Sequence, residues 1–132
     1  MMKDLVNRID LEETVEYQTI ATDGDTTGDA VEVVGFRGVA VVALVGDITD
    51  GDFEITIEAR EEEGGDWQEV GEDGLVGTFE TIEGGVEGNQ KVGLKGSYYE
   101  IRAEVTAANT TDGGDLGVVV VKSRAYDEPV EY

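Results

Sequence analysis

The sequence contains no cysteine and no histidine among its 132 residues. The missing cysteines exclude a disulfide framework, a thiolate zinc site and a cysteine nucleophile. The missing histidines remove the usual general base, and the only serines, Ser97 and Ser123, lie outside any Gly-x-Ser-x-Gly motif. We therefore expect that the protein is not an enzyme and binds no cofactor.

Positive charge is also scarce, since 9 Lys and Arg stand against 31 Asp and Glu, for a formal net charge of -22. Such a surface would repel phosphate, so we expect no nucleic-acid partner. A compact state with this charge repels itself unless salt screens it, and at about 1 M salt the Debye length is only about 3 Å. Disorder is the alternative for an acidic chain, but the apolar runs Val39–Val45 and Val118–Val121 are core material. The composition therefore favours a folded, halophilic domain.

Long apolar stretches are absent as well, and none approaches the roughly 18 residues that a membrane span needs. The segment Met1–Arg8 does not resemble a signal peptide. We therefore expect a protein that is made in the cytoplasm and has no membrane partner.

What the sequence does contain is period-two alternation of apolar and polar residues, with almost no helical periodicity. In the segment 53–59, for example, the odd-numbered residues are apolar and the even-numbered residues are polar. The predicted strands are Thr14–Ile20, Ala30–Val34, Val39–Val45, Phe53–Arg60, Trp67–Val70, Val76–Ile82, Gln90–Leu94, Tyr98–Thr106 and Leu116–Ser123. Glycine-rich turns separate them, so we predict an all-β antiparallel β-sandwich, jelly-roll-like or immunoglobulin-like, of about eight or nine short strands.

The chain divides into three predicted parts. Residues 1–13 form an N-terminal arm, residues 14–123 form the β-sandwich domain, and residues 124–132 form an acidic C-terminal tail. Such arms either fray or pack onto a neighbouring subunit, and the sequence leaves both alternatives open.

One acidic segment imitates the start of a calcium loop, with oxygen-bearing side chains at Asp23, Asp25 and Thr27 and a glycine at the sixth position. The twelfth position is Val34, so the bidentate glutamate of an EF-hand is missing. We favour an ordinary acidic hairpin loop, with Asp23, Asp25 and Asp29 as weak candidate metal ligands. Any bound ion would be a structural cation from high salt, namely Ca²⁺, Mg²⁺, Na⁺ or K⁺.

The few aromatic residues suggest two kinds of surface. Trp67 could be an exposed platform for a sugar, although a core or sheet-edge position is the simpler interpretation. Tyr98 and Tyr99 are adjacent in a predicted strand, so one should be buried and the other should be free to meet a partner. A carbohydrate- or ligand-binding module on a surface or extracellular protein is therefore an alternative function.

Several short motifs resemble, in their order and spacing, small proteins encoded in the head-gene clusters of tailed double-stranded DNA viruses. The resemblance runs from Lys3 to about Ser123. The motifs that carry it are Lys3–Leu5, Val34–Gly38, Gly46–Gly51, Glu58, Trp67–Val70, Leu75–Gly77 and Val92–Arg102. The chain departs from the family in its extreme acidity and in its acidic tail, and with its halophilic composition this indicates a tailed virus of a salt-loving archaeon.

The resemblance implies a virion structural protein, such as a capsid decoration or cement protein, with a turret or a head–tail connector as alternatives. It would lie in the virion head after synthesis in the host cytoplasm, and its partners would be the major capsid protein and copies of itself. We expect a homo-oligomer, most simply a trimer. The candidate partner-binding residues are Lys3, Asp4, Leu5, Val6, Arg8, Tyr98, Tyr99 and Arg102.

Overall fold

The computed structural model describes residues 9–84 and 88–123. These two ranges contain eleven β-strands, one short 3-10 turn at Glu72–Gly74 and no α-helix. The strands are β1 (Ile9–Ile20), β2 (Gly24–Thr27), β3 (Val31–Glu32), β4 (Gly38–Ile48), β5 (Asp52–Arg60), β6 (Gln68–Glu69), β7 (Leu75–Val76), β8 (Ile82–Glu83), β9 (Gln90–Leu94), β10 (Glu100–Ala108) and β11 (Gly114–Ser123). The predicted all-β fold is confirmed, with eleven strands in place of the eight or nine expected.

Two antiparallel sheets pack face to face. Sheet A has the strand order β1-β11-β4-β9-β7, and sheet B has the order β2-β10-β5-β6, with β3 added to β10 and β8 added to β5. The core lies between the sheets and consists of the side chains that point inward from each alternating strand. In β5 these are Phe53, Ile55, Ile57 and Ala59, all buried, as the alternation predicts.

Several strand bounds differ from the prediction. Strand β1 begins at Ile9 rather than Thr14, because Ile9–Glu13 continue the pairing with β11. These five residues of the predicted arm therefore belong to sheet A. The predicted strand Val76–Ile82 is broken into β7 and β8, and Gly77 between them has a φ of 89°, which favours glycine and ends an extended run.

The acidic calcium-like segment is not a loop in the structure. Its residues Gly24–Thr27 form β2, which pairs with β10 through the partners Asp25↔Thr106 and Thr27↔Glu104. Sequence reasoning missed this strand because it has no apolar side chain and therefore no alternation, and only the neighbouring strand supplies its hydrogen bonds.

The sandwich has two different ends, which we call the arm end and the acidic end. At the arm end β1 starts, β11 finishes and β4 starts, since Ser123 is the register partner of both Ile9 and Gly38. The acidic end carries Asp23, Asp50 and the turn 109–113. The candidate residues Lys3, Asp4, Leu5, Val6 and Arg8 and the tail 124–132 lie outside the described residues, and the chain enters and leaves the described part at the arm end.

No helix within residues 9–84 and 88–123 is long and apolar enough to cross a membrane.

Candidate functional site

An open groove at the arm end brings together two of the motifs that carry the viral resemblance. The groove has a volume of about 300 Å³ and lies between the 33–39 segment and the 94–99 segment. The side chains that define this tyrosine groove are Val34, Phe36, Arg37, Lys95, Tyr98 and Tyr99. Apolar, aromatic and cationic groups therefore meet at one place on a strongly anionic chain.

Tyr98 forms the wall between this groove and a second, larger depression. Its half-buried ring packs on the core, and a side chain at Gly96 would come within 2.9 Å of the Tyr98 hydroxyl. Gly96 is thus required for the position of the ring. The second depression, about 630 Å³ in volume, lies on the other side of Tyr98 beside Arg60 and Gln68.

Tyr99 lies just before β10 and is held to sheet B by backbone hydrogen bonds. Its N–H donates to the carbonyl of Arg60 at 2.9 Å, and its carbonyl accepts from the N–H of Val33 at 2.9 Å. The hydroxyl donates to Glu32, and this bond, together with the surrounding carboxylates, raises the pKa of Tyr99 above its usual value. Because β10 begins only at Glu100, Tyr98 and Tyr99 are both half-buried, and the expectation of one buried and one exposed tyrosine is wrong.

Arg102, the third candidate of this region, belongs to a cluster on the outer face of sheet B. Its Nε donates to Glu58 at 2.7 Å, and its guanidinium lies 4.3 Å from the ring centre of Trp67. The neighbouring cross-strand pair, Arg60 and Glu100, has the same arrangement. The Nε of Arg60 donates to Glu100 at 2.7 Å, and its guanidinium lies 4.6 Å from the ring centre of Trp67. These two cross-strand ion pairs hold the half-buried Trp67 against the sheet, as cation–π contacts do. Arg102 therefore stabilises sheet B in the structure.

Sequence reasoning missed the role of Lys122 at the arm end. Lys122 is only 7% exposed, and its ammonium donates to Glu12 at 3.2 Å and to the carbonyl of Glu32 at 3.0 Å. The same ammonium lies 4.8 Å from the ring centre of Phe36. The signal was present in the sequence, because Lys122 continues the inward series of Leu116, Val118 and Val120. Lys122 thus anchors the groove residue Phe36 to β1 and β11.

The acidic end uses carboxylates to hold a turn. Asp50 accepts hydrogen bonds from the backbone N–H groups of Thr111, Asp112 and Gly113 at 2.8, 3.1 and 2.9 Å. Asp23 accepts from the N–H and the hydroxyl of Thr110 at 2.9 and 2.6 Å. These bonds favour the charged form, so the pKa of each of the two carboxyls is lowered below its ordinary value of 3.8.

The other two candidate metal ligands have separate environments. Asp25 accepts a hydrogen bond from the Thr106 hydroxyl at 2.9 Å, and the backbone carbonyl of Asp29 accepts one from the buried Thr14 hydroxyl at 2.7 Å. Within the described ranges no three acidic side chains stand close enough together to hold a metal ion. The binding of a structural cation stays a prediction.

Replacing Asp50 by alanine is expected to lower the melting temperature, because three backbone N–H groups lose their acceptor. The stabilisation by Asp50 should be present at neutral pH and disappear as the pH falls below 3.8 through the lowered folded-state pKa. Thermal melts of wild type and Asp50→Ala across a pH series in constant molar salt would test this. Asp47→Ala, at an exposed position three residues earlier, is the control. A difference between wild type and Asp50→Ala that is equally large at neutral and strongly acid pH would contradict the assignment.

No protein-family model matches this chain, and no curated protein matches it either. Among solved structures, the SPBc2 prophage-derived protein YomS is 18% identical, with 86% of this chain and 94% of that chain covered and a TM-score of 0.45. A chain of the infectious bursal disease virus Gx strain structure is 8% identical, with 92% of this chain and 34% of that chain covered and a TM-score of 0.50.

A third similar structure comes from Clostridium thermocellum and is the endo-1,4-beta-D-xylanase 10B with its CBM22-1 and GH10 modules, complexed with xylohexaose. It is 10% identical, with 91% of this chain and 30% of that chain covered and a TM-score of 0.42. This chain therefore spans about a third of the viral and xylanase chains that it resembles. At these identities the likeness to the viral chain shows a shared β-sandwich fold and nothing more specific.

Proposed function

We propose that this protein is a non-enzymatic structural component of a virus head that attaches to the capsid through its arm end. The observation that carries the proposal is the tyrosine groove, where Val34, Phe36 and Lys95 come together on a chain whose formal net charge is -22. The same end holds the points where the segments 1–8 and 124–132 join the described domain. Apolar and cationic groups give an anionic protein a contact surface that does not repel an anionic partner.

The viral resemblance also supports this assignment. Two of its motifs, Val34–Gly38 and Val92–Arg102, are distant in sequence but line the same groove in the structure. The fold is also one that occurs in a chain of the infectious bursal disease virus structure, which is compatible with a place in a virus particle. Decoration or cementing of the head of a haloarchaeal tailed virus is the role that best fits these features, and the protein would be made in the host cytoplasm.

The protein would act by binding rather than by catalysis, since the described domain offers an open groove in which side chains of the capsid surface could bind. A groove of about 300 Å³ accommodates only one or two side chains, so each contact would be weak. Many copies on one shell, each bridging neighbouring capsid subunits, would add their interface burial to the stability of the shell. The trimer expected from the sequence stays a prediction, and it is the alternative to the twofold pair proposed below.

Re-addition to stripped particles tests the attachment. Particles from a culture that carries this gene would be stripped of the protein and incubated in molar salt with excess wild type, Val34→Asp, Lys95→Gln or the control Thr56→Asp, and the bound copies would be counted by quantitative mass spectrometry. Each substitution makes the charge one unit more negative, but Thr56 lies on β5, away from the groove. We expect both groove variants to lose at least about tenfold in affinity for the particle, equivalent to about 1.4 kcal/mol, and the control to bind normally.

The predicted arm is tested in the same assay by a shorter deletion than the sequence alone would indicate. Removing residues 1–13 would destroy half of the pairing between β1 and β11, so only residues 1–8 should be removed. Absence of the protein from purified particles, or full binding by both groove variants, would overturn the proposed function.

A carbohydrate-binding role is the second candidate, and the depression beside Tyr98 is the observation that favours it. The depression is open, and Arg60, Asp66, Gln68 and Glu69 supply the kind of polar groups that sugars bind. Trp67, however, already carries two guanidinium groups within 4.6 Å of its ring centre, which competes with stacking on a sugar. Binding of soluble xylan or cello-oligosaccharides by isothermal titration calorimetry, lost on Gln68→Ala, would favour this alternative over capsid attachment.

A further inference from the structure

The outer face of sheet A carries one row without polar side chains across all five strands. This row of neighbours runs across the sheet through Leu11, Val121, Ala40, Gly93 and Val76. The side chains of Leu11 and Val76, at the two edges, are 66% and 60% exposed, and Tyr17 on the same face is 47% exposed. Three of the four exposed large hydrophobic residues in the described part of the chain therefore lie on this face.

Glycines keep this face flat. A side chain at Gly46 would collide with the Tyr17 hydroxyl, and one at Gly117 would come within 2.7 Å of the Tyr17 backbone. Tyr17 therefore lies over β11 and β4 instead of projecting from the sheet. A flat apolar sheet is suited to stacking against another sheet at about 10 Å, the spacing found inside β-sandwiches.

The outer face of sheet B, in contrast, is charged. Its corresponding positions carry Glu54, Glu58 and Arg60 on β5 and Glu104 on β10, as expected for a solvated face. A strongly acidic chain thus concentrates its exposed apolar surface on one sheet. Contiguous apolar surface of this kind marks a protein interaction site.

The charges within the apolar face identify its partner. The second row runs Glu13, Val119, Val42 and Lys91, so one acidic and one basic side chain stand at opposite ends of a single row. A twofold axis parallel to the strands, between β11 and β4, would place Glu13 of each copy opposite Lys91 of the other. It would also place Leu11 of each copy opposite the space above Gly93. The face is therefore complementary to itself, which is the requirement for a twofold interface.

We propose that two copies of this chain pair by stacking the outer faces of their A sheets. Strand spacing and rise give a face on the order of 600 Å² per copy, near the roughly 800 Å² that each partner buries in a standard interface. Molar salt screens the repulsion between the two anionic chains and strengthens apolar association. The tyrosine groove is formed by other residues, so it stays open in the pair.

Sedimentation equilibrium of the full chain in molar salt tests the pairing, with an expected mass of twice 14.1 kDa. Val42→Asp places a charge at the centre of the interface, and Leu11→Asp places one at a side chain that is already 66% exposed in the single chain, where folding should tolerate it. We expect the dissociation constant to rise about 10- to 100-fold for each variant. Thr56→Asp, on the outer face of sheet B, should leave it unchanged. A mass of one chain or of three chains for wild type would overturn the proposal.

Charge reversal tests the register of the two faces. Glu13→Lys and Lys91→Glu should each raise the dissociation constant, because like charges then face each other across the twofold axis. The double reversal should restore it to within about threefold of wild type. A dissociation constant that Leu11→Asp leaves unchanged, or a double reversal that fails to restore pairing, would overturn the proposal. These outcomes would also be expected if residues 1–8 of the same chain covered the face. The capsid assay with Lys95→Gln depends on a different surface, so either proposal can fail without the other.

Discussion

Transfer from molar salt to roughly tens of millimolar is expected to unfold this protein. A compact chain of this length has a radius of gyration of about 14 Å, while the Debye length grows from about 3 Å at 1 M to about 30 Å at 0.01 M. At low salt each carboxylate therefore feels the whole net charge of -22. Circular dichroism along a salt series should show the β-sheet signal fading and the melting temperature falling. Retention of both at low salt would contradict the halophilic interpretation.

A pH control separates repulsion from specific hydrogen bonding. At low salt, lowering the pH toward the isoelectric point of about 4.1 should recover part of the β-sheet signal, because carboxylates are neutralised. In molar salt, where repulsion is already screened, acid should bring no such gain. Below pH 3.8 it should destabilise the fold, because Asp23 and Asp50, whose folded-state pKa values are lowered, lose their hydrogen-bonded charged forms. The two salt conditions should thus respond to acid with opposite signs.

Replacing Gly113 by alanine is expected to be the most damaging single substitution in the acidic end. Gly113 has a φ of 79°, and a methyl group there would collide with the carbonyl oxygen of Ile20 and come within 2.7 Å of the Ala21 Cα. The Gly113 carbonyl accepts hydrogen bonds from the N–H groups of Thr49 and Asp50, and its own N–H donates to the Asp50 carboxylate. Gly113 therefore cannot move without breaking these bonds. We expect a loss of about 3 kcal/mol or more in the free energy of unfolding, measured by urea denaturation in molar salt.

Gly64→Ala is the matched control for that substitution. Gly64 has a φ of 80°, but a side chain there would meet nothing within 4 Å. Its loss should be limited to the strain of the left-handed backbone, about 1 to 2 kcal/mol. Equal losses for the two variants would show that the contact with Ile20 and Ala21 adds nothing.

The predictions from sequence succeeded where one strand buries a single face. Strand β9 (Gln90–Leu94) and the alternation of β5 were predicted with the observed bounds or within one residue, because a side-chain period of two is a local property. They failed where hydrogen bonds alone define the strand. Strand β2 (Gly24–Thr27) has no apolar pattern, and its pairing with β10 depends on a segment some 80 residues away in the sequence.

The predicted site was found only in part for a similar reason. Tyr98 and Tyr99 were recognised as aromatic residues near a sheet edge, and both do line the groove. Arg102 was chosen for its charge, but its pairing with Glu58 and its contact with Trp67 depend on the register between β10 and β5. The sequence does not predict a role for Lys91 or Glu13, since nothing local distinguishes them from the other charged residues of the chain.

The sequence by itself determined the all-β fold and the two-faced strands, because alternation is a property of neighbouring residues. It also predicts the dependence on salt, because net charge depends only on composition. Only the tertiary structure decided which outward faces are apolar and which charges meet. The outward residues of β1, β4, β9 and β11 lie far apart in sequence, and only sheet pairing places Leu11 beside Val121 and Glu13 in the same row as Lys91. Composition determines how much apolar surface the chain has, whereas strand order determines where that surface is continuous.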